Sequence, residues 1–454
     1  MKTYDIIVVG AGDVGLGITF KALAAGFRVA LIEKGNVGGT CINVGCVPSK
    51  TLIYPADRIM EIREAAKLGI HAEITRIDFG MIMQRMKDAV TGGRNSIRDA
   101  LKDSESLDFY NEEGRFIKDY TLELKSGKIK GRKIFIASGA RPMIPQIKGI
   151  DAIDYLTNEG VLELERRPES VCIIGGGYIG VEYGHFFAAM GTDVTIVQMN
   201  RLLIPHEEPE ISELLQKEMS RRMRVLTGTE VAEVRHDSGG YAVLLRDGKT
   251  GGEKEIKAEK IMVATGRRPN ADLLKVENTG VETDETGFIK VDDYLRTSKK
   301  NIWALGDAIG KQMFTHAGDK EAELAWHNAN SKKKVRMDFL AVPHAVFTRP
   351  EIASVGLTEE QARKDHDVMV GKAKYSDTVK GSAMGEEESF AKAIVEKKSG
   401  RILGFHIIGP DASILIQEIV NAVATGRDMK SVTESMHIFP ALSDLITETL
   451  NNLE

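Results

Sequence analysis

The chain opens on an apolar run that stops at a glycine turn and gives way to a helical rhythm. "YDIIVVGAGDVGLG" at 4–17 reads as a buried strand, a tight turn and a helix; the same texture returns as "SVCIIGGGYIGVE" at 170–182. A short apolar run bounded by turn residues and followed by a 3.6-residue period predicts a strand feeding a helix. A further strand follows each copy, "RVALIEKG" after the first and "DVTIVQMN" after the second. Apolar runs ending in small-residue turns recur as "KIFIASGARP" at 133–142, "KIMVATGRRPN" at 260–270 and "NIWALGDA" at 301–308. From about 336 the pattern changes. "VPHAVFTRPEIASVGLT" and "FAKAIVEKKSGRILGFHIIG" alternate and turn as antiparallel strands do, and "DASILIQEIVNAVATG" at 411–426 predicts a buried amphipathic helix. Strand–helix alternation occurring twice predicts an α/β chain.

With 454 residues the chain exceeds one ordinary domain. The pattern divides it into a first domain in two segments, 1–150 and 271–335, enclosing a second at 151–270, with a third at 336–454. Apolar residues are 42%, charged residues 28% and the net charge is −5. That balance favours neither nucleic acid nor an anionic membrane as partner. The "KKK" at 332–334 reads as a solvated patch. No apolar run reaches transmembrane length. The N-terminal run leads into a glycine turn and not a small-residue cleavage site, so it reads as a strand and not a signal peptide. Three cysteines argue against a secreted disulfide scaffold, and the cytoplasm is the expected location.

The glycines carry the first chemistry. Gly10, Gly12 and Gly15, and again Gly175, Gly177 and Gly180, stand in G-x-G-x-x-G spacing between strand and helix. The first glycine makes the turn, the second lets backbone approach a pyrophosphate and the third allows close helix–strand packing. The helix N-terminus then faces the phosphate charge. Glu33 follows about 20 residues on, where an acid can bond a ribose diol. Two such units imply two dinucleotides; one site with a decayed copy is the competing reading. In the second copy Gln198 holds the acid's position, with no charge to repel a 2′-phosphate. Asp307, at the end of an apolar strand, suits a ligand hydroxyl or a helix N-cap.

"GGTCINVGCVPSK" at 38–50 holds two of the three cysteines, Cys41 and Cys46. A structural zinc site needs four ligands, and no second cysteine pair exists, so no metal is expected. A staple over so short a loop removes little chain entropy. A redox dithiol remains. Cys41 is expected at a helix N-terminus, where the dipole favours thiolate. Lys50, a helical turn beyond Cys46, supplies a cation if the helix survives Pro48. Cys172, inside "SVCII", reads as an inert core residue.

The stretch resembles the active-site signature of the class I pyridine nucleotide–disulfide oxidoreductases, which include dihydrolipoamide dehydrogenase, glutathione reductase and mercuric reductase. The likeness runs through "GAGDVG", "EKG", the dithiol, "EGRF", "ASGARP", "GGGYIGVE", "ATGRRPN", "ALGDA", "FTRPEIASVGLT" and "HIIGPDAS". By eye the nearest member is dihydrolipoamide dehydrogenase. The resemblance implies two Rossmann-like domains of the glutathione-reductase kind and a C-terminal α+β dimerisation domain. It implies FAD on the first unit, held through Gly10, Gly12, Gly15, Glu33, Gly39, Thr40, Lys50, Gly114 and Asp307. It implies NAD or NADP on the second, held through Gly175, Gly177, Tyr178, Ile179, Gly180, Gln198, Val231 and Gly266. Cys46 would lie beside the flavin, Cys41 would exchange with substrate, and Lys50 and Glu182 would pair near the flavin and nicotinamide. The implied partners are a small-molecule or lipoyl-protein disulfide and a second copy of the chain, whose C-terminal domain completes each substrate pocket.

One segment departs from that pattern. In "SMHIFPALSDLI" at 435–446 the family's catalytic histidine and glutamate positions hold Phe439 and Asp444. Phenylalanine cannot relay a proton. His437 stands two residues earlier, on the same side of an extended segment, and reads either as a substitute base or as a packing residue. Mercuric reductase lacks that histidine too, but uses C-terminal cysteines absent here. The leading expectation is an FAD-dependent NAD(P)H:disulfide oxidoreductase. The alternatives are a reductase of a metal ion or quinone and a non-enzymatic redox-sensing flavoprotein subunit.

Overall fold

The computed structural model describes residues 1–102 and 104–454. Compactness divides it into two units: 1–51, 84–143 and 266–339 in the first, and 52–83, 144–265 and 340–454 in the second.

The first unit is built on a seven-stranded sheet. Lys2–Val9 lies between Val29–Ile32 and Gly127–Ile136, parallel to both. Leu107–Tyr110 extends one side and Ile302–Ala304 joins Gly127–Ile136, again in parallel. Gly114–Lys118 and Thr121–Leu124 complete the sheet as an antiparallel meander. Strands covered on both faces need continuous apolar runs, and Ile6, Ile7, Val8, Leu31 and Phe135 are wholly buried. Truncating one such residue, Ile7→Ala, costs about 2–5 kcal/mol. Helix Asp13–Ala24 follows the first strand directly, and helices Gly39–Val44 and Cys46–Glu64 follow the second. The "ARP" and "RRP" turns pair with each other as Ala140–Pro142 and Arg267–Pro269.

The second unit holds three sheets. Arg224–Thr227, Asp193–Gln198, Ser170–Ile174 and Lys260–Val263 form a parallel sheet in that order. An antiparallel sheet of Thr229–Asp237, Gly240–Asp247 and Glu253–Ala258 shares its core, where Cys172, Val197, Val243 and Ile261 meet. The C-terminal texture becomes a five-stranded antiparallel sheet, Pro343–Val346, Ile352–Gly356, Ile402–Ile408, Phe390–Glu396 and Val368–Lys374. Helices Ala412–Ala424 and Asp444–Asn451 cover it through Ile416, Ile419, Leu445 and Ile446. The lysine run at 332–334 is exposed, yet Lys334 is bound: it donates to the Asn328 and Ser331 carbonyls at the end of helix Thr315–Asn330.

Candidate functional site: two glycine turns and a dithiol

The first turn is close-packed backbone. Gly10 sits at φ +106°, and a Cβ there would lie 2.1 Å from the Ala137 carbonyl oxygen. A Cβ on Gly15 would lie 1.9 Å from the Gly10 oxygen, so helix Asp13–Ala24 rests directly on the turn. Gly12 is its N-cap in extended conformation, and a Cβ on Gly39 would come 2.6 Å from the Gly12 Cα. Glu33 closes the arrangement: its carboxylate accepts from the Ala11 N–H at 2.8 Å and the Gly35 N–H at 2.7 Å. Gly114 begins its strand where a Cβ would press Leu124 at 2.9 Å.

Asp307 lies inside the 3₁₀ turn Gly306–Ala308, where Leu305 and not the aspartate takes the cap position. Burial holds its carboxyl above the usual range, opposed by Arg267 with Nε at 3.5 Å. Arg267 also donates to the Thr40 hydroxyl at 3.3 Å. Beneath the turn Glu321 is wholly buried; it accepts from the Gly306 N–H at 2.6 Å, and burial pushes it up to about 7. Glu321 Oε1 and Ser138 Oγ are buried with no hydrogen-bond partner among the described residues. A side-chain-free cradle at a helix head, a desolvated acid and orphaned polar atoms fit a dinucleotide with a polyol chain, as FAD has.

The second turn repeats the first. Gly175 sits at φ +110° with its Cβ position 2.3 Å from the Ala264 oxygen, and a Cβ on Gly180 would lie 2.0 Å from the Gly175 oxygen. Gly177 caps helix Tyr178–Ala189 and faces open space. Gln198 ends its strand, buried, and its Oε1 accepts from the Gly176 N–H at 3.2 Å. Tyr178 and Ile179 open the helix; Glu182, a turn later, is buried and accepts from the Phe347 N–H at 3.0 Å. Val231 stands at a register shift in its strand. Gly266, at φ +121°, belongs to the first compact unit. The residues present fit a second dinucleotide.

Cys41 is the third residue of the six-residue helix Gly39–Val44, and Cys46 begins the nineteen-residue helix Cys46–Glu64. Pro48 does not interrupt the latter: near the N-terminus a missing N–H and a fixed φ are tolerated. The two sulfurs are free thiols hydrogen-bonded to each other. The sequence favoured a thiolate at Cys41; the geometry favours one at Cys46. Cys46 receives the hydrogen bond from Cys41 and lies within the field of Lys50, which lowers its pKa from the ordinary 9.0 to about 6. Cys41 donates that bond and is desolvated, and is pushed up. Cys172 is buried and its thiol is pushed up to about 12.

A residue that the sequence reading passed over completes the pair. Thr315 opens helix Thr315–Asn330 and places Oγ1 3.6 Å from Cys46 Sγ. Its hydroxyl lowers the pKa of both thiols. No local signal marks a threonine 269 residues from its partner.

At the C-terminus His437 is tied down. Nε2 lies 2.8 Å from Glu418 and Nδ1 3.0 Å from the Ser435 carbonyl, which fastens the ring to helix Ala412–Ala424. Asp444 begins helix Asp444–Asn451 and accepts from the Ala441 N–H at 3.4 Å. Met436, Ile438 and Phe439 are exposed, Phe439 at 73%. Among the described residues no cluster of metal-ligating side chains occurs, and no helix is long and apolar enough to cross a membrane.

Two dinucleotide turns and a polarised dithiol define an oxidoreductase that works on sulfur with paired redox cofactors. The chain belongs to the pyridine nucleotide-disulphide oxidoreductase family: that family's sequence profile matches residues 4–329, and the profile of its dimerisation domain matches 342–450. The family uses FAD and NAD(P)H. A mycothione reductase of Mycobacterium tuberculosis is 35% identical over 466 residues, covering 100% of both chains. A dihydrolipoyl dehydrogenase of Geobacillus stearothermophilus is 33% identical, over 98% of this chain and 95% of that one. Among solved structures, the HOCl-induced flavoprotein disulfide reductase RclA of Escherichia coli, as its Cu(II) complex, superposes with a TM-score of 0.87 at 29% identity over 99% of both chains.

Proposed function

We propose that the chain is an FAD-dependent NAD(P)H:disulfide oxidoreductase whose electrons pass between nicotinamide, FAD and a Cys41–Cys46 disulfide. The carrying observation is the polarised thiol pair at the head of helix Cys46–Glu64, in the same compact unit as the first glycine turn. Bound FAD supplies the hydride-accepting ring that couples nicotinamide oxidation to disulfide reduction. The chain supplies the rest. Two electrons and one proton convert the Cys41–Cys46 disulfide to a Cys41 thiol and a Cys46 thiolate. Lys50 and the Thr315 hydroxyl hold the charge of Cys46, while Cys41 keeps its proton until it attacks an acceptor disulfide as thiolate. The remaining predicted residues take the cofactor roles set out above, with Glu182 and Lys50 serving near the flavin and nicotinamide.

The domain limits in this reading are 1–150 with 271–335 for FAD, 151–270 for NAD(P) and 336–454 for dimerisation. The exposed apolar segment at Met436, Ile438 and Phe439 supports a homodimer. The cytoplasm, where a dithiol is kept as a redox group and not as a staple, is the location this reading expects.

The acceptor is the finer question. A disulfide fits the dithiol. Exposed Phe439, with His437 fastened to Glu418, supports a second reading in which the acceptor needs no proton relay, such as a metal ion or a quinone. RclA in complex with Cu(II) is a relative consistent with it.

Anaerobic mixing with NADH or NADPH should bleach the flavin and expose two new thiols per chain. Cys46→Ser should keep the first effect and lose disulfide turnover by more than a thousandfold. A mutant that retains turnover overturns the dithiol role. Phe439→His should raise lipoamide turnover by roughly a hundredfold or more without changing flavin reduction. No gain would place the acceptor outside the disulfides that need a base.

A further inference from the structure

The second glycine turn carries a device that the first lacks. Tyr178 follows Gly177 directly and is the first residue of helix Tyr178–Ala189, the helix whose head the second turn offers to a dinucleotide. The ring is fixed by residues outside the motif. Its hydroxyl donates to Glu207 Oε1 at 2.8 Å, and its face stacks on His344, with centroids 5.7 Å apart and an interplanar angle of 26°. His344 Nε2–H donates to the same carboxylate oxygen, and the Ser354 hydroxyl donates to the other at 2.7 Å. All four residues belong to the second compact unit.

Glu207 is an unusual group to bury, at 4% exposure. An isolated buried carboxylate costs several kcal/mol unless hydrogen bonds compensate it. Here they more than compensate: despite desolvation, the bonds from His344 and Ser354 lower its pKa to about 2. Glu207 is therefore an anion throughout the working pH range, and a charged acceptor grips a phenol about twice as strongly as a neutral one. The neighbouring charges are otherwise engaged. Glu208 accepts from Lys392 at 2.9 Å, and Lys392 also meets Glu359 at 2.7 Å. His406 Nε2 faces the Leu357 carbonyl at 3.0 Å. The Tyr178 hydroxyl is pushed up by burial and by the Glu207 charge, so it stays a donor.

We infer that Glu207 and His344 are positioning residues for nicotinamide-dinucleotide binding, acting through Tyr178: the buried anion and the stacked imidazole hold the tyrosine ring against the helix head in one orientation. This rests on the reading of the second turn as the NAD(P) site and adds to it two residues outside the motif. A ring already ordered need not be ordered by the ligand, and immobilising one such side chain costs about 0.5–1.5 kcal/mol, or roughly two- to tenfold in affinity.

The test is equilibrium binding of NAD⁺ and NADP⁺ to the oxidised, FAD-loaded protein by calorimetry, with thermal melting as a check on folding. Tyr178→Phe keeps the ring and removes its bond to Glu207; His344→Ala removes the stack and one clamp. Each should raise Kd by about three- to tenfold. Ser354→Ala loosens Glu207 from the side away from Tyr178. It should lower the melting temperature while leaving Kd within about twofold, a split that a purely structural role of the cluster would not produce. Wild-type affinity in Tyr178→Phe, or equal weakening by Ser354→Ala, overturns the proposal. A wild-type protein that binds neither nucleotide, and whose flavin neither reduced nucleotide bleaches, overturns the underlying site instead.

Discussion

The two glycine turns are the same object built twice from different residues. Gly10 and Gly175 share a positive φ near +110°, and a Cβ on Gly15 or Gly180 would fall 1.9 or 2.0 Å from the carbonyl oxygen of its own turn's first glycine, leaving no room for a side chain. Glu33 and Gln198 both accept a hydrogen bond from the N–H that follows the first glycine. What the position requires is an acceptor, which either residue provides. The charge is a separate property, free to differ, and it differs where a nicotinamide cofactor with or without a 2′-phosphate would be told apart. The surroundings differ too. The first turn lies in a unit with a desolvated aspartate, a buried glutamate and the dithiol; the second is flanked by a tyrosine clamped on a buried anion.

The comparison breaks most visibly at the third glycine. Gly15→Val should yield protein without FAD, read as lost absorbance at 450 nm per chain, whereas Gly180→Val should keep FAD and lose reduction by NAD(P)H by about a hundredfold or more. A variant of Gly180 that loses FAD as well would mean that the two turns do not serve separate cofactors.

Exchanging the acceptors sharpens the contrast. The unaltered chain should discriminate weakly between NADH and NADPH. Gln198→Glu keeps the bond to Gly176 and adds a negative charge, so the kcat/KM ratio should move toward NADH by about ten- to a hundredfold, or roughly 1.4–2.7 kcal/mol. The reciprocal Glu33→Gln also keeps its bond to Ala11 and should weaken FAD retention by less than about tenfold, measured as flavin released on dilution. If Gln198→Glu leaves the ratio unchanged, the end of this strand does not contact the ribose.

The smallest effect belongs to the hydroxyl that only the first unit brings to its chemistry. Thr315→Val removes a donor to the Cys46 sulfur. Because that bond favours the charged form, its loss raises the thiol pKa. In the reduced protein the pH profile of iodoacetamide alkylation at Cys46 should shift up from a midpoint near 6, and Thr315→Ser should restore it. An unmoved midpoint would leave Lys50 and Cys41 as its determinants.

What was legible in the sequence is what backbone geometry dictates locally. A glycine at a positive φ, a strand of unbroken apolar residues and a cysteine at a helix start are each set by a few neighbours, so both turns, the sheets around them and the dithiol could be read from spacing. The departure at Phe439 was legible only beside the pattern of the family that the chain resembles. The tertiary structure alone decided which sulfur is the thiolate. That depends on who donates to whom between Cys41, Cys46 and Thr315, and Thr315 comes from 269 residues away. It decided that Gln198 still does part of an acid's work, and that Glu207, one of three glutamates in "PHEEPE" at 205–210, is a buried anion held by a histidine 137 residues on. Local pattern fixes φ and ψ over a few residues; charge, burial and hydrogen-bond direction are settled by atoms that meet only once the chain has folded.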